Sequence, residues 1–398
     1  MEHQVALDLY MTAGVGVAAL LLGLLFTRVL PFLKRFCIPA PVSGGLLISL
    51  VTLLIHALFG VSFSFDGTIK DICMMLFFTS VGFQSDLRVL KQGGKPLLIM
   101  IGLVALLITL QNLLSVGIAK GMQLSPLVGM ATGSIPMSGG HGTAGGFSPV
   151  LASMGLKGAD SITLAAATFG LVAGSLVGGP LGELLIQRGH LSAESTSADT
   201  YKEIEAQPTT GRSRDYTMAA CQLILAMAVG MALSRQLALT GITFPTYFGA
   251  LIAAALLRNA IPPKTGRRDP ICKDEIVAIG NICLSLFLGM AMATLKLWEL
   301  AGLMLPLLVI LLAQTLLMIL YAAFVAFPAL GRDYDAAVLV SGLCGFGLGA
   351  TPNAMANMSA VCYKYHYSVR PFIIVPIIGA MFVDLINTGV ITLFLNLI

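Results

Sequence analysis

Polar residues that interrupt apolar sequence carry most of the chemistry in this chain. Ser138-Gly139-Gly140-His141-Gly142-Thr143 and Gly345-Phe346-Gly347-Leu348-Gly349-Ala350-Thr351-Pro352-Asn353 lie in apolar surroundings, one in each half. Each glycine costs a helix interior about 1 kcal/mol relative to alanine, so both segments are expected to break a helix. A helix that restarts after a break offers free N–H groups and the positive end of its dipole, which is anion-binding chemistry, and glycine allows close approach. Hydroxyls and amides flank the breaks: Ser138 and Thr143 at the first, Thr351, Asn353 and Asn357 at the second. Singly, each either contacts a ligand or caps a broken helix end. Together, two polar clusters at matching places favour a binding site.

Asp384 is the only acidic residue between Phe372 and Leu397, and Asn387 stands one turn away on the same face. A carboxylate in such a helix costs ~2.5–3.5 kcal/mol unless paired, so it either meets a cation or bonds a helix end. His141, between two glycines, is a proton carrier, a ligand contact or a brace for the turn. A Ser138/His141 catalytic pair lacks an orienting carboxylate nearby and the nucleophile-elbow spacing, which argues against an enzyme. No Gly-Lys-Ser/Thr follows the glycines, so a phosphate loop is excluded. Cys37, Cys73, Cys221, Cys272, Cys283, Cys344 and Cys362 have neither disulfide-framework nor zinc spacing and are expected to pack as small apolar groups.

These residues must be positioned within a membrane. The chain is 57% hydrophobic and 11% charged, with a mean hydropathy of +0.91, against about 25% charged residues in soluble domains. Runs long enough for a ~30 Å hydrocarbon core recur near 10–30, 40–60, 70–84, 97–119, 160–186, 216–234, 241–257, 275–294, 301–327 and 368–397. The stretches near 126–150 and 336–360 hold the glycine breaks and read as re-entrant segments. Glu2, His3 and Asp8 stand where a cleavable signal has its positive region, so the first span is expected to stay. With the N-terminus outside, the inner loops hold Arg28, Lys34, Arg35, Arg88, Lys91, Lys95, Arg188, Lys202, Arg212, Arg214, Arg258, Lys264, Arg267, Arg268, Lys273, Arg332, Lys364 and Arg370. Only Lys70, Lys120, Lys157, Arg235 and Lys296 then fall outside, so both termini are placed outside and a linker at 187–216 in the cytoplasm. The net charge of +4 is thus a topology signal and gives no hint of nucleic-acid binding.

The halves resemble each other. Ile38, Pro41, Gly45, Leu47 and Ile48 recur as Ile242, Pro245, Gly249, Leu251 and Ile252; Leu76-Phe77 as Leu286-Phe287; Gly140 and Gly142 as Gly347 and Gly349; Gly170 as Gly379. A repeat of five spans places its second copy upside down. The expected fold is therefore an all-α polytopic membrane protein of two inverted five-helix repeats, 1–186 and 217–398, each with one re-entrant segment. Each third span lies beside a break in related transporter folds, which adds Gln84 and Asn281 to the candidates. Gln111, Asn112, Gln314 and Thr315 are expected to make ordinary interhelical hydrogen bonds, worth ~0.6 kcal/mol each.

The segment Ser138 to Thr143, the segment Gly345 to Met358 and Lys296-Leu297-Trp298-Glu299-Leu300 together resemble the bacterial sodium/glutamate symporters, over roughly Ile38 to Asn387. Asn353, where that family would carry threonine, departs from it. The resemblance implies sodium-driven uptake of L-glutamate, a homodimer in the bacterial inner membrane, no organic cofactor, and an alternating-access mechanism in which one domain carries the site across. Substrate would then contact Ser138, Gly139, Gly140, His141, Gly142, Thr143, Gly347, Gly349, Thr351, Asn353 and Asn357. Na⁺, a hard cation that takes oxygen ligands, would be held by Asp384, Asn387, Asn281 and Gln84. A sodium/proton antiporter using Asp384, or a passive channel of paired half-helices, are the rival readings. Trp298 is expected to be an interfacial anchor.

Overall fold

The computed structural model describes residues 3–191, 215–239, 244–261 and 269–398. Most of the expected linker at 187–216, the basic residues Lys264, Arg267 and Arg268, and Ile242 of the repeat lie outside the described residues. The described chain is mostly helical. Among the described residues, seven helices are long and apolar enough to cross a membrane: Leu9–Val29, Ala40–Phe59, Gly94–Gly121, Ala159–Gly189, Tyr216–Leu237, Lys273–Ala293 and Met304–Ala329.

In chain order the elements are α1 (Leu9–Val29), α2 (Ala40–Phe59), α3 (Thr68–Gln84), α4 (Leu90–Gly121), α5 (Pro126–Thr132), α6 (Gly140–Ser153), α7 (Ala159–Gly189), α8 (Tyr216–Ala238), α9 (Phe248–Ala260), α10 (Lys273–Ala293), α11 (Met304–Tyr321), α12 (Tyr334–Gly347), α13 (Thr351–Lys364), α14 (Val369–Ile377) and α15 (Val383–Leu395). Two expected spans differ from the sequence reading. The seventh is shortened to the 13 residues of α9. The tenth is divided into α14 and α15 by a π turn over Ile378–Phe382, where Pro376 removes a backbone donor just upstream.

Two short strands were also unforeseen. β1 (His3–Leu7) pairs in parallel with β2 (Val61–Phe65). The alternation Val61-Ser62-Phe63-Ser64-Phe65 is a strand signal of period two.

Helix starts are set by local chemistry. Asp8 caps α1 by accepting from the Met11 N–H at 2.8 Å, Asp215 caps α8 through the Met218 N–H at 2.9 Å, and Asp333 caps α12 through the Ala336 N–H at 2.7 Å. Glycines set the closest crossings. A Cβ on Gly44 of α2 would lie 1.8 Å from the Ala19 carbonyl oxygen of α1, and one on Gly249 of α9 would lie 2.2 Å from the Gly230 carbonyl oxygen of α8. These pairs pack backbone to backbone, as small residues allow in membrane helices.

The helices sort into two bodies. In the first, α1 packs on α2 and α8 on α9, while α3 and α10 cross between them. Cys73 of α3 and Cys283 of α10 face each other there as a hydrogen-bonded thiol pair. In the second, α4, α7, α11 and α15 surround the broken hairpins α5–α6 and α12–α13. Its core includes Leu107, Met318, Leu343, Phe346 and Ile378. Where the bodies meet, Tyr247 stacks on Phe78 with ring centroids 3.6 Å apart, and Phe147 meets Tyr247 edge-on.

Short connections join the bodies. After α3, the turn Leu87–Val89 leads into α4, and after α10 the turn Leu297–Leu303 leads into α11. The first is held by ion pairs: Asp86 bonds Arg88 at 2.7 Å and Arg258 at 3.1 Å, and Arg258 reaches Asp269 at 2.8 Å. The Arg88 hydrogen bond holds the Asp86 carboxyl down at about 2. Asn259 adds a bond to the Ser85 carbonyl at 2.7 Å. The second connection is held by Trp298, whose ring stacks on His56 at 4.3 Å.

Candidate functional site

Both glycine segments form helix breaks, and the breaks touch. In the first, a single turn, Ser134–Met137, ends at Ser138, and α6 restarts at Gly140 with φ of +59°. That left-handed angle suits glycine, and a Cβ there would also lie 2.8 Å from the Gly349 carbonyl oxygen of the second break. The second break is narrower than its glycine content implied. Gly345 and Gly347 remain helical in α12, and only Leu348, Gly349 and Ala350 separate it from α13. Gly345 is small for packing: a Cβ would sit 2.4 Å from the Ala354 Cα of its own hairpin partner.

Gln111 of α4 joins the two breaks. Its Nε2 donates to the Gly347 carbonyl at 2.7 Å, and its Oε1 accepts from the Ser138 hydroxyl at 2.7 Å. Gln314 of α11 in turn donates to the Gln111 carbonyl at 2.7 Å. These glutamines, expected to be ordinary interhelical bonds, are the frame of the site. Their placement in the fourth span of each half was the available signal.

A cavity of about 420 Å³ lies between the bodies at this point. One wall is the first break, from Ser138 to Thr143, together with Gly349, Ala350, Thr351 and Pro352 of the second and Asp384 of α15. The facing wall is α3 and α10, with Phe77, Gln84, Asn281 and Leu284. Cys37 and Pro39 of the α1–α2 connection, Gln84 at the end of α3 and Val277 near the start of α10 also line it. The cavity thus reaches the face that bears Arg28, Lys34, Arg35 and Arg88.

Its electrostatics come from backbone and a single acid. The starts of α6 and α13 are both in its wall, so free N–H groups and two positive dipole ends meet there. Neither lysine nor arginine lines it. Asp384 accepts from the Thr143 hydroxyl at 3.3 Å. His141 is turned to α7, where Nε2 lies 3.0 Å from Thr168 Oγ1. The Thr168 hydroxyl already donates to the Leu164 carbonyl at 2.9 Å. When the Thr168 hydroxyl donates to Leu164, its oxygen accepts from His141 Nε2–H.

The other expected residues stand behind the wall. Asn353 is fully buried and donates to the Leu171 carbonyl at 2.8 Å. Asn357 donates to the Gly174 carbonyl at 2.9 Å. Both pin the second hairpin to α7. Asn387 donates to the Ser134 carbonyl at 3.0 Å and leaves its buried Oδ1 without a partner. Gly347 presents its carbonyl to Gln111 and Ser138. The structure therefore brings Ser138 to Thr143, Gly349, Thr351, Asp384, Gln84 and Asn281 together around one space, and sets Gly347, Asn353, Asn357 and Asn387 outside it. Among the described residues no group of three or more His, Cys, Asp or Glu side chains converges as a metal cluster.

Comparison with known proteins matches this arrangement to one family. The family model described as "Sodium/glutamate symporter" matches residues 5–367. The "Sodium/glutamate symporter" of Escherichia coli is 38% identical over 98% of both chains. That of Haemophilus influenzae is 37% identical over 96% of this chain and 95% of its own. A solved sodium proton antiporter, MjNhaP1 from Methanocaldococcus jannaschii, aligns over 98% of both chains at 16% identity with a TM-score of 0.45. The curated relatives are transporters and not enzymes. A family model matched over residues 5–367 and relatives matched over nearly the whole length show that this multi-pass membrane protein belongs to the sodium/glutamate symporter family.

Proposed function

We propose that the chain couples Na⁺ entry to the uptake of L-glutamate by alternating access, the body of broken hairpins carrying the cavity past the body built on α3 and α10. The observation that carries this reading is a cavity framed by two helix starts and one carboxylate, without lysine or arginine. Glutamate brings two carboxylates and one ammonium. The starts of α6 and α13 offer N–H groups to the carboxylates, and Asp384 offers a counter-charge to the ammonium or to Na⁺. Gln84 and Asn281 supply neutral oxygens from the facing wall, and Asn387 completes the expected sodium set from behind it.

An inverted repeat is supported by several pairs. Asp8 and Asp215 cap the first helix of each half. The helix pairs α1 with α2 and α8 with α9 both cross closely at a glycine, Gly44 in the first and Gly249 in the second. Cys73 and Cys283, at matching positions, meet where a two-fold axis would pass. The domains are then 1–186 and 217–398 with 187–216 between. With the basic loops cytoplasmic, the termini lie outside and the cavity opens inward. We place the protein in the bacterial inner membrane as a homodimer.

The deciding experiment measures labelled L-glutamate uptake into proteoliposomes under an imposed Na⁺ gradient. Concentrative uptake that vanishes when choline replaces Na⁺ is expected. Sodium/proton exchange without movement of the amino acid would replace this reading with an antiporter, and passive flux alone with a channel.

A further inference from the structure

The two connections between the bodies carry opposite charges at matching places. Asp86 follows α3 and opens the sequence Asp86-Leu87-Arg88-Val89-Leu90; Lys296 follows α10 and opens Lys296-Leu297-Trp298-Glu299-Leu300. Each leads into a tight turn, Leu87–Val89 and Leu297–Leu303. The helices that approach these turns from the hairpin body are matched and also carry opposite charges. Asp160 is the second residue of α7 and Arg370 the second residue of α14. An acid of the hairpin body and a base that follows α10 therefore stand on one face of the molecule, a base of the hairpin body and an acid that follows α3 on the other.

Among the described residues neither pair is in ion-pair contact, but one of them shares a cavity. Asp160 and Lys296 line a common cavity of about 270 Å³ with Lys70 and Asp66, and Ser161 Oγ lies 3.5 Å from the Lys296 carbonyl. Asp160 also bonds the Ser148 hydroxyl, which ties its position to α6. On the other face Asp86 is held by Arg88 and Arg258. Arg370 is exposed and makes no ion pair among the described residues. The central cavity reaches this second face, so the pair that shares a cavity lies on the closed face and the other pair on the open one.

We propose that Asp160–Lys296 and Arg370–Asp86 are alternating ion-pair latches, one for each end state of transport. This rests on the alternating-access reading. When the hairpin body moves toward the Lys296 face, the start of α7 leaves that loop and the start of α14 arrives at Asp86. Arg258, 5% exposed and shared with Asp269, stays in place, while the more exposed Arg88 yields to Arg370. The four residues position the bodies and touch no substrate.

Cysteine pairs test this in a background without the native cysteines, retaining only variants that still take up glutamate. Asp160→Cys with Lys296→Cys, and Asp86→Cys with Arg370→Cys, are treated with a short bis-maleimide in Na⁺ and glutamate. Both pairs are expected to cross-link. The first link should leave Gly349→Cys labelled only from the basic-loop face, the second only from the opposite face. If Gly349→Cys is labelled from both faces yet the 86–370 pair never links, the latch is overturned and alternating access stands. Labelling from one face under all conditions overturns both. Separately, Arg370→Gln and Asp160→Asn should shift the ratio of labelling from the two faces in opposite directions, by roughly two- to five-fold each, as fits one exposed ion pair. Arg370→Lys should restore the ratio. Unchanged ratios in both variants would also overturn the latch.

Discussion

One amide decides whether the two breaks act as a unit. Gln111 spends both ends of its side chain on them, so Gln111→Leu removes the shorter of the two bonds to the Gly347 carbonyl and leaves Ser138 only its longer contact with that carbonyl. Each hydrogen bond lost costs about 0.5–1.5 kcal/mol. Thermal unfolding in detergent should show that loss, together with lower uptake. Asp384 is different in kind, because its partner in the structure is one hydroxyl at 3.3 Å. Asp384→Asn keeps the shape and removes the charge, so the Na⁺ concentration for half-maximal uptake should rise at least ten-fold, about 1.4 kcal/mol, with little change in melting temperature. A stable variant with unchanged sodium dependence would remove Asp384 from the ion site. Ser138 and Thr143, which flank the first glycine cluster, and Asp384, which stands alone among apolar neighbours, were legible in the sequence and line the cavity. Asn353 and Asn357 do not line it: their amides turn to carbonyls of α7 that are nearly two hundred positions away in the chain, a partner no local pattern reveals.

At the level of helices, contact depth is set by what is missing from a side chain. Gly44 lets α2 ride on the α1 backbone, so Gly44→Leu should lower the melting temperature strongly, by the 1–3 kcal/mol or more typical of overpacking. Gly14→Ala, with nothing within 4 Å of the added Cβ, is the matched control and should be neutral or slightly stabilising. Equal effects of the two would show that helix propensity and not the crossing matters. The same packing explains where element boundaries were misjudged. Propensity reasons about isolated helices, and Gly345 is retained in α12 because close contact with α13 outweighs its intrinsic penalty. Long apolar spans were plain from composition, while α9 and the division between α14 and α15 depend on packing and on a π turn.

For the whole molecule, the relevant field is the membrane potential. Glutamate with more than one Na⁺ carries net positive charge inward, and each such charge gains about 2.3 kcal/mol per 100 mV. Inside-negative potentials imposed with valinomycin should therefore raise the initial rate of uptake, whereas an unchanged rate would mean one Na⁺ per substrate. The two-body division was only partly legible. Repeated residues marked the halves, but each body draws helices from both halves, so sequence order conceals which helices travel together. The lack of lysine and arginine around the cavity has one more consequence, for growth at alkaline pH. Peptide dipoles do not titrate, so under the proposed function the hold on the carboxylates has no lysine or arginine to lose as protons become scarce. The alkaline limit of transport is then a property of the cargo: affinity should fade as the amino group of free glutamate loses its proton, and a glutamate analogue with a fixed cationic nitrogen should outlast it.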